Sequence, residues 1–441
     1  MAGQGLVGRV RTEFAVIGAG LWGLSAAWAL RQRGHEVLVL DQGEVGHVEG
    51  GSHGSCRIFR LGYEDPAYVT LAARARDSWT ELEEAAGEQL LVPVPQLTFG
   101  PQLDEVRAAM EQAGQPGELL SAAEAAERFP GVAVTGEVLF ESASAVTLAD
   151  RALAALARLI GPAGLLTGGE AGRVTSLTAT SSGVRVSTSA GEVDAERVIV
   201  CAGPWTARLV AGLGITVPGS ASLEQVAYVR PAQPGLLPAV MPILVHYGGE
   251  FPYGLPVPGS DRYKIGIHFG GPPVNPENQD QSADTDLGKR IEAAAKRFLP
   301  AFDPRPVAVE RCIYDNSPDT DFIIDQFGPV VLGCGTSGHG FKFGPLIGGW
   351  LADLAGSGAA AAAPAARFAL GRFRPLQSRY GRRRADCLSQ VRWLAALEHD
   401  DDVARRRRAR RMDGRGRIRH LASRRWPAGR GRAPACAAVP A

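Results

Sequence analysis

The chain has 441 residues, 45% of them hydrophobic, with a formal net charge of +1, so it can bury a sizeable core in two domains or three. No apolar run approaches the ~20 residues a membrane span needs, and no cleavable signal pattern precedes the apolar stretch 14–30, so a cytoplasmic location is expected. The charge is uneven. Residues 376–441 carry 18 Arg against six acids, +12, which leaves the body near −11 with no sign of a nucleic-acid binder.

In chain order, residues 13–18 read as a buried strand, 21–33 as a helix and 35–40 as a second buried strand. Residues 66–86 read as an amphipathic helix. Ser121 with Glu124 forms a capping-box signal for another, and 148–159 reads as a third. Short strands alternate over 174–200, ahead of Ala202-Gly203-Pro204. The segment 222–269 is strand-rich, with turns at Pro231, Gly248 and Pro258-Gly259, and is expected to form a mainly antiparallel sheet. A helix is expected over 285–298, strands over 307–314 and 330–333, and a helix over 341–354. From residue 376 onward the sequence reads as an Arg-rich, disordered tail of low function, with the short apolar stretch 391–397 inside it. Basic tails can also bind nucleic acid, which is the less favoured reading.

The fold class that follows is α/β with an α+β second domain. A Rossmann-type domain with a parallel sheet is expected from residues 12–88, 146–218 and 318–375. A second domain is expected from 89–145 and 219–317.

Two features point to chemistry. Gly18-Ala-Gly20-Leu-Trp-Gly23 lies at a strand–helix junction, and Asp41 ends the next strand 23 residues after Gly18. The glycines permit a tight turn, close approach of a pyrophosphate and close helix–strand packing. The helix N-terminus offers N–H donors to phosphate, and an acid at Asp41 suits ribose hydroxyls. This spacing does not separate FAD from NAD. Second, lysine is scarce: Lys264, Lys289, Lys296 and Lys342 stand against 43 Arg. Where Arg fills the surface role, a remaining Lys can do what a planar fork cannot. The six Cys show no CxxC and no repeated spacing, which argues against a disulfide framework and a metal site.

Five segments then narrow the reading. Gly50-Gly-Ser52-His53-Gly-Ser-Cys56-Arg57-Ile-Phe-Arg60 resembles the flavin-proximal loop of the monomeric sarcosine oxidase and N-methyltryptophan oxidase family. The resemblance returns in Tyr253-Gly-Leu-Pro and in Lys264-Ile-Gly-Ile-His268. It continues through Cys312-Ile-Tyr with Asp319-Thr-Asp-Phe-Ile-Ile-Asp325, and through Ser337-Gly-His-Gly-Phe-Lys342-Phe. It spans residues 13–375, in order. The family implies FAD, a small carboxylate-bearing secondary amine as substrate, oxygen as acceptor, hydrogen peroxide as product, and a monomer.

Residue by residue, the resemblance implies that Cys312 binds the flavin covalently, as a thioether at the 8-methyl position. It implies that Lys264 activates oxygen, that Arg60 and Lys342 hold the substrate carboxylate, and that Tyr253 and His268 frame the amine. Arg57 would balance charge on the reduced ring and is counted, with Lys264, His268 and Tyr253, among the catalytic residues. Gly18, Gly20, Gly23, Asp41, Ser52, His53, Val174, Gly203, Gly338, Gly340 and Lys342 would complete the cofactor site. Two departures stand out: Ser52-His53 replaces a common pair of histidines, and Cys56 stands where Thr is common. A dehydrogenase or an oxidase of another amine shares this pattern. An NAD(P)-dependent dehydrogenase or a non-catalytic binding protein fits it less well.

Overall fold

A computed structural model describes residues 9–233, 241–356 and 366–373. The expected strand–helix–strand opening is present as β1 (Arg9–Ile17), α1 (Leu21–Gln32) and β2 (Val37–Asp41). β1 is buried at its C-terminal half and β2 at Val37, Val39 and Leu40, and α1 is buried at every residue from Leu21 to Leu30. Such all-round apolarity suits a helix enclosed between a sheet and other helices. The helix Gly344–Gly356 packs against it.

β1 lies between β2 and the strand Gly191–Val200, parallel to both. Leu165–Thr167 extends the parallel set beyond β2. The C-terminal half of Gly191–Val200 also pairs in parallel with Val330–Cys334. This eight-stranded sheet is mixed at its margins. The hairpin Val174–Thr180 and Gly183–Thr188 joins one side antiparallel, and Ile323–Phe327 pairs antiparallel with Val330–Cys334. The C-terminal ends of its parallel strands carry Gly18, Asp41 and Ala202, as expected where an open α/β sheet binds a ligand.

A second eight-stranded sheet is antiparallel except at one pairing, Ile243–His246 with Gln96–Phe99. Its strands Phe251–Pro256, Tyr263–His268 and Phe302–Asn316 present Tyr253, Lys264, His268 and Cys312, and Ser220–Pro231 lies between the last two strands. The helix Thr285–Phe298 covers one face through Leu287, Ile291, Ala295 and Phe298. A third sheet, of three short antiparallel strands, holds Cys56–Phe59 against Ala145–Leu148. The helix expected over 66–86 is in place, and the capping box expected at Ser121 and Glu124 is formed at the start of the helix Ala122–Arg128.

Two expectations need correction. The strand expected over 307–314 runs from Phe302 to Asn316, through Pro304 and Pro306. Among the described residues it is an edge strand that pairs only with Ser220–Pro231, and an edge tolerates the missing N–H donors. The helix expected over 341–354 begins as a 3₁₀ turn, Phe341–Phe343, and becomes α-helical only at Gly344–Gly356. Here the Gly340 and Lys342 carbonyls accept from the indoles of Trp22 and Trp79. The 376–441 tail and the stretch 391–397 lie outside the described residues. Among the described residues, no helix is long and apolar enough to cross a membrane.

Candidate active site

One cavity is lined by residues from all three sheets. At one end, β1 turns into α1 through Gly18, which has φ +106°. A Cβ there would stand 2.2 Å from the Cys201 carbonyl. Both the left-handed backbone and the close approach require glycine. Gly23 does not line the cavity; a Cβ on it would meet the Gly18 carbonyl at 1.9 Å, so it serves the helix–strand packing. Gly20 faces Ser52, whose Oγ accepts from the Leu21 N–H at 3.1 Å and occupies a donor of the first helical turn.

Asp41 is more committed than its position at the end of β2 suggests. One oxygen accepts from Ala19 N–H at 2.6 Å, the other from Gly43 N–H at 2.9 Å. His47 Nε2 lies 3.2 Å from the second oxygen, and its Nδ1 lies 2.8 Å from Glu49. The hydrogen bond to Asp41 holds the imidazole proton, pushing the His47 pKa up to about 9. His47 lines the cavity and has no motif around it that sequence reasoning could use.

The middle of the cavity joins distant segments. Trp22 donates its indole N–H to the Gly340 carbonyl at 2.9 Å, tying the first glycine turn to the last. Asp315 accepts from Gly335 N–H at 2.6 Å, and its carbonyl accepts from Ser337 N–H. Gly338 has φ +71°, and a Cβ there would strike the Tyr314 ring at 2.0 Å. Burial pushes the Asp315 carboxyl up to about 6. Cys312 is half-buried beside Arg57, with Arg57 Nη2 3.8 Å from its sulfur. The other cysteines among the described residues are buried. Arg57 also donates to the Cys56 carbonyl at 2.9 Å and to the His53 carbonyl.

Toward the second sheet, the four lysines divide cleanly. Lys289 and Lys296 are exposed and paired with Asp286 and Glu292. Lys264 and Lys342 are 4% and 5% exposed and line the cavity. Lys264 donates to the Cys56 carbonyl at 3.2 Å and sits 5.7 Å over the Tyr228 ring. Burial, and then Arg57, lower its pKa. Lys342 donates to Tyr63 Oη and the His339 carbonyl, both at 2.9 Å. Burial, and then Arg60, hold it well below the ordinary lysine range. Arg60 stacks on Tyr63 with its guanidinium carbon 4.2 Å from the ring centre. Neither Arg60 nor Lys342 has an ion-pair partner among the described residues.

His268 Nδ1 lies 3.3 Å from Tyr314 Oη, and burial, with the charges of Arg60 and Lys342, lowers its pKa to about 3. Tyr253 is pushed up to about 12 by burial. Each residue expected to form the site therefore borders this one cavity except Gly23; Val174 and Gly203 line it as well. Sequence reasoning missed His47, Glu224, Tyr247 and Glu310. Tyr314 and His339 sat inside quoted motifs without a role.

The glycine cradle and the helix N-terminus of α1 suit a dinucleotide pyrophosphate, and the cavity continues past it toward two buried cations. The family model described as FAD dependent oxidoreductase matches residues 13–354. The chain belongs to that family. It is 33% identical to the peroxisomal sarcosine oxidase of Mus musculus over 77% of this chain and 90% of that one. It is 31% identical to the N-methyl-L-tryptophan oxidase of Yersinia pestis over 76% of this chain and 92% of that one. A solved structure of NikD, described as an unusual amino acid oxidase essential for nikkomycin biosynthesis, superposes with a TM-score of 0.71 at 27% identity. That match covers 82% of this chain and 97% of NikD.

Proposed function

We propose that this FAD-dependent oxidoreductase converts a small carboxylate-bearing secondary amine, sarcosine or another N-methyl or cyclic amino acid, to its imine, with oxygen reduced to hydrogen peroxide. One observation carries the reading: Arg60 and Lys342 are buried side by side and, among the described residues, have no carboxylate partner. Two unpaired buried cations are costly, and a substrate carboxylate relieves both. Bound FAD supplies the redox chemistry, taking two electrons and a hydrogen from the amine and passing the electrons to oxygen.

The protein groups then have separable tasks. Gly18, Gly20 and Ser52 hold the pyrophosphate, with Asp41 and Val174 at the adenosine end. His53, Arg57, Gly203, Gly338 and Gly340 border the ring. Arg60 and Lys342 fix the carboxylate, and Tyr253 and His268 frame the amine. His268 stays neutral at working pH, because its pKa is lowered to about 3, so it accepts or donates a hydrogen bond without repelling an ammonium. Lys264 supplies a buried positive charge where oxygen gains electrons. Cys312, half-exposed to the cavity with a guanidinium beside its sulfur, carries the flavin as a thioether. On this reading the mixed sheet serves the cofactor and the antiparallel sheet the amine, the chain crossing between them near 88, 145, 218 and 317. A monomer in the cytoplasm completes it.

The test is direct. The purified protein should be yellow, and N-methyl amino acids should bleach it anaerobically, with peroxide formed when air is admitted. A folded, colourless protein that cannot be reconstituted with FAD would end the proposal. Denaturation and acid precipitation should leave the colour in the pellet; yellow in the supernatant refutes the thioether.

A further inference from the structure

We propose that Tyr247 is a positioning residue that selects which edge of Arg60 meets the substrate carboxylate, an inference resting on the carboxylate reading above. Arg60 follows the strand Cys56–Phe59 of the three-stranded sheet, whereas Tyr247 follows Ile243–His246 of the antiparallel sheet. Both are buried, at 9% and 2% exposure. The Tyr247 hydroxyl accepts from Arg60 Nη1 and donates to the Gly62 carbonyl at 3.2 Å.

Gly62 is itself held from the other side. Glu141 Oε2 accepts from the N–H of Leu61 at 3.2 Å and of Gly62 at 2.9 Å. Gln96 and Thr98 donate to Glu141 Oε1 at 2.7 and 3.0 Å. Glu141 is therefore occupied and makes no ion pair with Arg60. Its donors and Tyr247 pin the short segment that bears Arg60, so the guanidinium has little room to swing.

Among the described residues, Nη1 is the only guanidinium nitrogen of Arg60 with a hydrogen-bond partner. Tyr63 covers one face, leaving the Nε–Nη2 edge free. That edge offers two parallel N–H donors, the geometry a carboxylate accepts best. Without the Tyr247 hydroxyl, the guanidinium can rotate its Nη pair into the cavity and lose the side-on fork. Tyr247 does not line the cavity, so its effect passes through Arg60.

The experiment uses the flavin-loaded enzyme and methoxyacetate, a non-oxidisable isostere of an N-methyl amino acid, read by perturbation of the flavin absorbance. Tyr247→Phe should weaken methoxyacetate about tenfold, the scale of a hydrogen bond to a charged group. Neutral methoxyacetamide should bind as before, and the loss in turnover should fall more on KM than on kcat. In an Arg60→Gln background, adding Tyr247→Phe should change methoxyacetate affinity by less than about twofold, since coupled residues are not additive. An equal loss in both backgrounds, or no loss in the first, overturns the proposal. If the wild-type spectrum ignores methoxyacetate altogether, the carboxylate reading of Arg60 falls, and this proposal with it.

Discussion

Lys264 shows how scarcity in a sequence becomes meaning in a structure. Its ammonium is buried, with its charge opposed by desolvation and by Arg57, and no structural ion pair explains it among the described residues. A cation about 4 Å from a developing superoxide-like anion stabilises it by roughly 4 kcal/mol at an effective dielectric near 20, or about three decades of rate. Lys264→Met should therefore leave anaerobic flavin reduction nearly intact and slow reoxidation about a hundred- to a thousandfold, measured by stopped flow. An unchanged oxygen reaction refutes the role. His47 makes a prediction of a different kind. Its pKa rises from 6.5 unfolded to about 9 folded, first through its hydrogen bond to Asp41. The folded state thus holds a proton the unfolded chain releases, and the stabilisation is complete below about 6.5 and lost as pH rises through about 9. The melting temperature should fall across that window, and His47→Gln should remove this part of the slope. A slope identical in both proteins would show that His47 is not the titrating group.

Among the elements, the motif from Asp319 to Asp325 resembled the family without an evident physical reason, and its partners supply one. Arg367 donates to both oxygens of Asp321 at 2.7 Å and also reaches Asp65, the N-cap of the helix Pro66–Ala86. Arg372 binds Asp319 through two nitrogens, and Leu370 N–H reaches Asp325 at 2.8 Å. Four acids thereby dock the segment 366–373 against residues 319–325 and the long helix. The Arg367 side chain is 35% exposed, so solvent screens part of the attraction. Arg367→Ala should cost about 1–3 kcal/mol, read from urea denaturation, because it strands two carboxylates and loosens a helix cap. Stability within about 0.3 kcal/mol of wild type would show the docking to be incidental. None of this was readable from the sequence, because each pairing spans 45 to 302 residues. Local signals served well by contrast: Asp65 with Pro66, and Ser121 with Glu124, mark helix starts that the structure reproduces. The strand expected over 307–314 starts earlier, at Phe302, and crosses Pro304 and Pro306, because edge position is a property of the sheet and not of the strand.

At the scale of the whole molecule, the order of motifs along the chain was legible, and their convergence was only implied by resemblance. The first glycine turn meets Gly340 through Trp22, and Lys264 and Cys312 lie near the Cys56–Arg57 segment from the two strands that flank Ser220–Pro231 in the antiparallel sheet. Tyr247 stayed invisible because its partner, Arg60, belongs to another sheet, and a buried Tyr in a strand-rich segment reads as core. The composition break near residue 376 was equally plain. The residues up to Ser378 group as one compact unit, and they include every residue that lines the cavity. A chain ending at Ser378 keeps every residue of the site and sheds 18 Arg with six acids, moving the formal charge from +1 to −11. It should therefore bind FAD and oxidise the amine with kcat/KM within about twofold of the full chain, a difference worth less than 0.5 kcal/mol. Any nucleic-acid binding by the full chain should fall steeply with salt and vanish on truncation, since phosphate contacts by Arg carry such affinity. Loss of flavin or of cooperative unfolding in the shortened chain would show that the basic segment belongs to the working enzyme.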